Sequence, residues 1–244
     1  MPIDDYDRQP SFPPPALTGA FAFPIAALAA ALLAALLAAP GAWAQTSADL
    51  AVVSEYSMRG VSLGRHPAVQ LRVDHDFDGG WYAGTFASPI DLYGRGQGLL
   101  IVYGGRALPL TSRLSWDAGV TRTIYLRNHE VDYHELYAGL TYDRVNARLS
   151  YSPAYYGGSS TVYLDLNGGV PLGERVALAL HAGLLHPFGA DYHWGDEDRA
   201  DLRATLAYDT GDWRLQAGWQ TLVHGSGNGL PRARALFAGA SLRF

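Results

Sequence analysis

Several groups of residues have the types and spacing to do chemistry. His224-Gly225-Ser226 sets an imidazole two positions from a hydroxyl. A hydroxyl nucleophile needs its base within hydrogen-bond reach and a third group to orient that base. Here the motif lies in a glycine-rich loop, and Asn228 is too close in sequence to serve as the orienting group. Asp74-x-Asp76-x-Asp78-Gly79 begins like a calcium loop, but the twelfth position, where a bidentate Glu belongs, is Thr85. Asp191-Tyr192-His193-Trp194-Gly195-Asp196-Glu197-Asp198 is an acidic stretch that reads as a solvated loop; bridging lipopolysaccharide through a divalent cation, or folding inward as a gate, are its alternatives. Gly94-Arg95-Gly96-Gln97-Gly98 lacks the following helix that a phosphate cradle needs and reads as loop. The largest group is a set of charges spaced by twos along alternating segments: Arg72, Asp74, Asp76, Asp117, Glu135, Arg148, Asp165, Asp201, Arg203, Arg214 and Arg243.

Those charges are positioned by strands. Val69, Leu71, Val73, His75 and Phe77 alternate with Gln70, Arg72, Asp74 and Asp76. Leu114, Trp116, Ala118 and Val120 alternate with Ser115, Asp117, Gly119 and Thr121, and Val162, Leu164 and Leu166 with Tyr163, Asp165 and Asn167. Trp213, Leu215, Ala217 and Trp219 repeat the pattern against Arg214, Gln216, Gly218 and Gln220. Successive side chains of a strand point to opposite faces, so each segment has one apolar and one polar side. About twelve such segments, each roughly 8–11 residues, have the length a tilted strand needs to cross a bilayer. They are expected to start near Ala48, Ala68, Trp81, Leu99, Leu114, Tyr133, Asn146, Thr161, Val176, Asp201, Trp213 and Arg232.

The connections alternate in length. Short turns are expected at Asp78-Gly79-Gly80, Pro109 to Ser112, Asp143 to Val145, Gly173 to Arg175 and Asp209 to Asp212. Longer loops are expected at Arg59 to Pro67, Pro89 to Gly98, Leu126 to Asp132, Tyr155 to Ser160, His186 to Ala200 and His224 to Pro231. Short turns at one rim and long loops at the other describe an outer-membrane barrel, whereas a soluble sandwich has no reason to keep the alternation. On the apolar parity, Phe77, Trp81, Tyr142, Tyr208, Trp213 and Phe244 all sit beside a short turn or the chain end, as an interfacial girdle would. Tyr56 and Trp219 are candidates for the opposite girdle.

Residues 1–44 read as an export signal: an apolar run from Phe21 to Ala39 interrupted by Pro24, the breaker Pro40-Gly41, and Ala42-Trp43-Ala44 as a small-x-small cleavage site. The preceding Asp4, Asp5 and Asp7 depart from the usual positive start. Residues 45–244 form the expected barrel domain. The chain has no cysteine, so no disulfide framework holds it together. All 18 basic residues are Arg and the net charge is −5, which suggests no nucleic-acid partner. The ending Leu236-Phe237-Ala238-Gly239-Ala240-Ser241-Leu242-Arg243-Phe244 resembles the C-terminal signal read by the outer-membrane assembly machinery.

Glu55-Tyr56-Ser57-Met58-Arg59-Gly60-Val61-Ser62, Pro67-Ala68-Val69-Gln70 and Gly80-Trp81-Tyr82-Ala83-Gly84-Thr85-Phe86-Ala87-Ser88 resemble the N-terminal signature of the TorF-type putative porins. Tyr133-His134-Glu135-Leu136-Tyr137-Ala138-Gly139 and Ser150-Tyr151-Ser152-Pro153 resemble later motifs of that family. The resemblance implies a channel-like outer-membrane barrel and supplies no substrate. Upstream of Tyr103-Gly104-Gly105 the family pattern carries acidic residues, where this chain has Leu99 and Ile101; carried-over ion preference is thereby put in doubt.

The expected protein is an all-β, up-and-down antiparallel transmembrane barrel of about twelve strands. It passes small hydrophilic solutes or ions, needs no cofactor or metal and performs no catalysis. Its expected partners are outer-membrane lipid, lipopolysaccharide, the assembly machinery through Phe244, and the solute. Arg72, Asp74, Asp76, Asp117, Glu135, Arg148, Asp165, Arg203 and Arg214 are the expected lumen lining. Near balance of sign predicts weak ion selectivity. The rivals are a lipid-acting barrel enzyme using His224 and Ser226, and a closed structural or adhesive barrel.

Overall fold

The computed structural model describes residues 46–188, 197–225 and 231–244. The expected export signal, the acidic stretch up to Asp196, and Ser226 with Asn228 lie outside them. The strands are β1 (Thr46–Val53), β2 (Tyr56–Met58), β3 (Val61–Gly64), β4 (Ala68–Asp76), β5 (Trp81–Leu92), β6 (Arg95–Pro109) and β7 (Leu114–Tyr125). They continue with β8 (Tyr133–Tyr142), β9 (Val145–Ser152), β10 (Ser160–Pro171), β11 (Val176–Phe188), β12 (Arg199–Asp209), β13 (Trp213–His224) and β14 (Leu236–Arg243).

Twelve strands close a barrel in the order β1-β14-β13-β12-β11-β10-β9-β8-β7-β6-β5-β4, each antiparallel to its neighbours. Closure runs through β1, which pairs Leu50 with Leu242 of β14 and with Leu71 of β4. Phe244 N–H donates to the Ala48 carbonyl at 2.9 Å and the Phe244 carbonyl accepts from Ala48 N–H at 3.2 Å, so Phe244 is stitched to the first strand. No strand edge is left in the wall, which is what a water-free surrounding requires.

Alternation places the oily parity outside. Val69, Val120, Leu136, Leu149, Leu180, Leu206 and Leu215 stand exposed on the outer wall. So do Phe77, Trp81, Tyr142, Tyr208, Trp213 and Phe244, all at the short-turn rim. An apolar surface of this extent is far larger than a water-soluble monomer exposes. On the inner wall, aromatic rings lie over glycines of the neighbouring strand. The space a Cβ would take at Gly84, Gly105, Gly119, Gly183 and Gly218 is filled by Tyr103, Tyr82, Tyr137, Tyr163 and Phe237 respectively. The rings cover the wall instead of crossing the bore, which is one use of the chain's abundant Gly and Tyr.

Two expectations about the other rim need correction. Pro89 to Gly98 is not a long loop. β5 and β6 stay paired to Leu92 and Arg95, and a two-residue turn joins them at Tyr93 (φ 53°) and Gly94 (φ 74°). Two consecutive positive φ values make the turn whose twist matches a hairpin, and three glycines within five residues had hidden the alternation. Tyr56 is not in an outward girdle, because the chain leaves the wall at Val53 and turns into the barrel. Consistently, the last strand begins at Leu236 and not near Arg232, since residues 231–233 pair with that inward segment.

Candidate functional site: the lumen and its inward hairpin

The inward segment is the hairpin β2–β3, joined by Arg59 and Gly60. Met58 pairs with Val61, and both turn residues have positive φ, 51° and 74°. Glycine adopts this conformation freely, whereas Arg59 pays for it in strain of about 1–3 kcal/mol that its surroundings must hold. They do so closely. Arg59 Nη2 donates to Glu135 Oε1 at 2.7 Å, with both side chains about nine-tenths buried. The same guanidinium lies over the rings of Tyr163 (4.1 Å) and Tyr155 (5.0 Å). A Cβ on Gly60 would stand 2.8 Å from Asp201 Cβ and 2.9 Å from Leu222 Cδ1, so the turn packs closely against β12 and β13.

Backbone pairing fixes the other side of the hairpin. Ser62 N–H donates to the Pro231 carbonyl at 2.8 Å and Ala233 N–H to the Gly60 carbonyl at 3.1 Å. Glu55 accepts the Arg234 N–H at 2.8 Å. Beneath the long loops, Val61 and Leu63 are buried against Ile90, Leu92, Leu99, Tyr125, Tyr133, Tyr155, Tyr163 and Leu185. Full burial of each of the two aliphatic side chains contributes roughly 1.5–3 kcal/mol. Burial also pushes the Tyr156 hydroxyl, in the loop above, well above the ordinary phenol range. Leu99 and Ile101 therefore do face inward, where they form part of the hairpin's apolar seat.

Below the hairpin the bore is polar and holds water-sized space. Cavities of about 750, 830 and 400 Å³ lie along it. Of the expected lining residues, Arg72, Asp74, Asp76, Glu135, Arg148, Asp165, Arg203 and Arg214 border one or more of these cavities. Asp117 lies behind Arg148, which donates to it at 2.6 Å, and is buried.

Most of these charges are tied into the wall. Arg214 binds Asp209 at 2.7 Å, and Arg243 lies 3.6 Å from Asp49. His181 sits between Asp165 (3.2 Å) and Asp201 (2.9 Å). Asp74 accepts the Tyr103 hydroxyl. Arg203 donates to Ser57 Oγ (2.6 Å) and Gln220 Oε1 (2.7 Å), and so joins the wall to the hairpin. Asp74, Asp76 and Asp78 run from strand into turn and do not wrap a common centre. His224 ends β13, exposed at the long-loop rim.

Sequence reading missed the inward course of residues 54–64 and the roles of Arg59, Ser57 and Leu63. A signal was present. Near the long loops the inward parity turns apolar, at Ile90, Leu99, Tyr125, Tyr133, Tyr163 and Leu185, and such residues need something apolar to cover them.

A family model described as a bacterial protein of unknown function, Gcw_chp, matches residues 38–215, and the chain belongs to that family. No curated protein matches the sequence. Among solved structures, the barrel resembles the NanC porin with a TM-score of 0.57 at 13% identity, over 82% of this chain and 98% of that one. It resembles the KdgM porin with a TM-score of 0.52 at 13% identity, over 81% and 99%. At such identity the likeness is one of fold: a closed antiparallel barrel of outer-membrane type.

Proposed function

From the fold and lumen of this Gcw_chp member, we propose a porin-like outer-membrane channel that passes small hydrophilic solutes or ions by passive diffusion. The β2–β3 hairpin sets its narrowest section. The observation that carries this reading is the inverted dressing of the wall, oily outside and polar around adjoining water-sized cavities inside. In a bilayer each outward Leu or Val meets acyl chains, and the girdle of Phe77, Trp81, Tyr142, Tyr208, Trp213 and Phe244 meets headgroups. The short turns then face the periplasm and the long loops the exterior. Export by a signal within residues 1–44, recognition of Phe244 by the assembly machinery, contact of the loops with lipopolysaccharide and the TorF-type porin resemblance all belong to this reading.

The mechanism is diffusion down a gradient, without catalysis. A solute enters the wide polar section from the periplasmic rim, or meets the hairpin first from outside. Nine-tenths burial of Arg59 and Glu135 means that passage at this level requires the hairpin to shift or solute to slip beside it. Liposome swelling tests the reading. Vesicles carrying the folded barrel should swell in an uncharged pentose faster than empty vesicles, and more slowly in a trisaccharide. Equal rates with and without protein would contradict it.

A second reading, a closed barrel whose loops bind an external partner, is favoured by the apolar core around Val61 and Leu63. Folded protein that gives no swelling even when the hairpin is loosened would decide for that reading. The lipid-acting alternative would require hydrolysis of a fluorogenic phospholipid by wild type, abolished in S226A.

A further inference from the structure

The lumen's acids and bases are nearly equal in number but unequally paired. Arg59, Arg148, Arg214 and His181 each have a carboxylate within 3.2 Å or less. Among the described residues, no carboxylate lies within 4 Å of the guanidinium of Arg72 or Arg203. Arg203 is half-buried and bonds only neutral oxygens, those of Ser57 and Gln220, while its plane lies 4.9 Å over Phe237. Arg72 projects into the bore, with only the Tyr103 ring 6.0 Å away. Arg148 is a third guanidinium on this section; Asp117 takes its Nη2, but its buried Nε has no acceptor.

These three arginines converge. The 750 and 830 Å³ cavities meet just below the hairpin, and Arg72, Arg148, Arg203, Ser57, Thr121 and Tyr137 border both. Of the acids left over, Asp76 and Asp74 stand four and two residues from Arg72 toward the short-turn rim, about 13 and 7 Å along the strand. Asp74 is further occupied by Tyr103, and Glu55, which borders the same cavity, accepts the Arg234 N–H with one oxygen while the other is buried without a partner. A half-buried cation hydrogen-bonded only to neutral groups leaves part of its desolvation cost uncompensated, and an entering anion would supply what is missing. Guanidinium forks fit carboxylate and phosphate oxygens.

We propose that this waist binds a small oxyanion, a carboxylate or a phosphate. Arg72 and Arg203 are its principal contacts, and Arg148 and the Ser57 hydroxyl are subsidiary donors. The site rests on the reading of the lumen as water-filled and reached from the short-turn rim. It does not require that solute passes the hairpin. An anion held here would give a lumen balanced in number a preference for one sign, because the cations without an ion pair lie at the narrow section.

The test is calorimetric titration of the full barrel, folded in detergent, with citrate and separately with inorganic phosphate at low salt. Binding should weaken about ten-fold or more in R72Q and in R203Q, the scale of one charge-assisted contact. It should be unchanged in R113Q, whose exposed guanidinium pairs with Asp143 at the short-turn rim, away from the waist. Binding of citrate alone assigns the site to carboxylates, and binding of phosphate alone assigns it to phosphates. Loss of heat-modifiable gel mobility would show that a variant had failed to fold. Among the described residues Arg72 has no hydrogen-bond partner in the wall, so R72Q keeps the test decisive if R203Q does not fold. Absence of binding by either anion, or binding undiminished in folded R72Q, overturns the site. Swelling assays separate this from the channel reading. A barrel that binds but never conducts refutes the channel and keeps the site, while one that conducts without binding does the reverse.

Discussion

Replacing Glu135 by Gln should release the hairpin. In the seated state Glu135 is the only carboxylate against Arg59 among the described residues, at 2.7 Å, with both side chains about nine-tenths buried. Removing one partner of a buried pair leaves the other charge uncompensated, at a cost of about 3–5 kcal/mol. The Tyr163 and Tyr155 faces at 4.1 and 5.0 Å keep part of their attraction for the cation, so the low end applies. At 1.36 kcal/mol per decade, about 3 kcal/mol shifts the seated–released equilibrium roughly 100-fold. Released, Arg59 regains water and Ser62 N–H loses its bond to Pro231. Hydrogen exchange of the Ser62 and Val61 amides should therefore accelerate about 100-fold in E135Q. Amides at the centres of β7 and β8 should be unchanged, because their ladder is untouched. The double variant R59M/E135Q removes both charges and should return exchange to within about ten-fold of wild type. Unchanged Ser62 exchange in folded E135Q would refute the claim that this ion pair seats the hairpin.

Gly60→Ala combines a positive φ with a Cβ 2.8 Å from Asp201 Cβ, so it should unseat the turn; trypsin should then cut after Arg59 in the variant and spare wild type. Leu149→Arg, on the outer wall of β9, should lower unfolding free energy in lipid by about 2–4 kcal/mol, measured by urea titration, whereas inward Gln216→Ala should change it little. Removing Phe244 deletes both backbone bonds to Ala48 and the terminal aromatic, and should reduce the fraction of heat-modifiable barrel in isolated membranes; an unchanged fraction would exclude it as an assembly determinant.

The wall was legible because strand periodicity is local. Ala68, Trp81, Leu114, Tyr133, Val176 and Trp213 begin strands where alternation places them, since along most of the wall outward side chains are apolar and inward ones polar or small. The inward hairpin was not legible in the same way. Tyr56 to Gly64 is too short to show a period, and its two positive-φ residues say only that a tight turn exists. Its destination depends on Ile90, Leu99, Tyr163 and Leu185, remote in sequence and assembled only by closure of the barrel. The charges show the same division. Their inward parity is local, whereas pairing is a property of register across strands. Arg148 meets Asp117 across β8, and among the described residues Arg203 forms no ion pair. Counting signs could not distinguish those two arginines.

Single-barrel conductance in planar bilayers tests the central claim most directly, with wild type and E135Q compared under the same salt gradient. The account predicts discrete steps, with more frequent or larger openings in E135Q, and a reversal potential favouring the anion. Silence from folded E135Q whose Ser62 exchange shows the hairpin released would contradict it, and would make this a closed barrel that carries no solute.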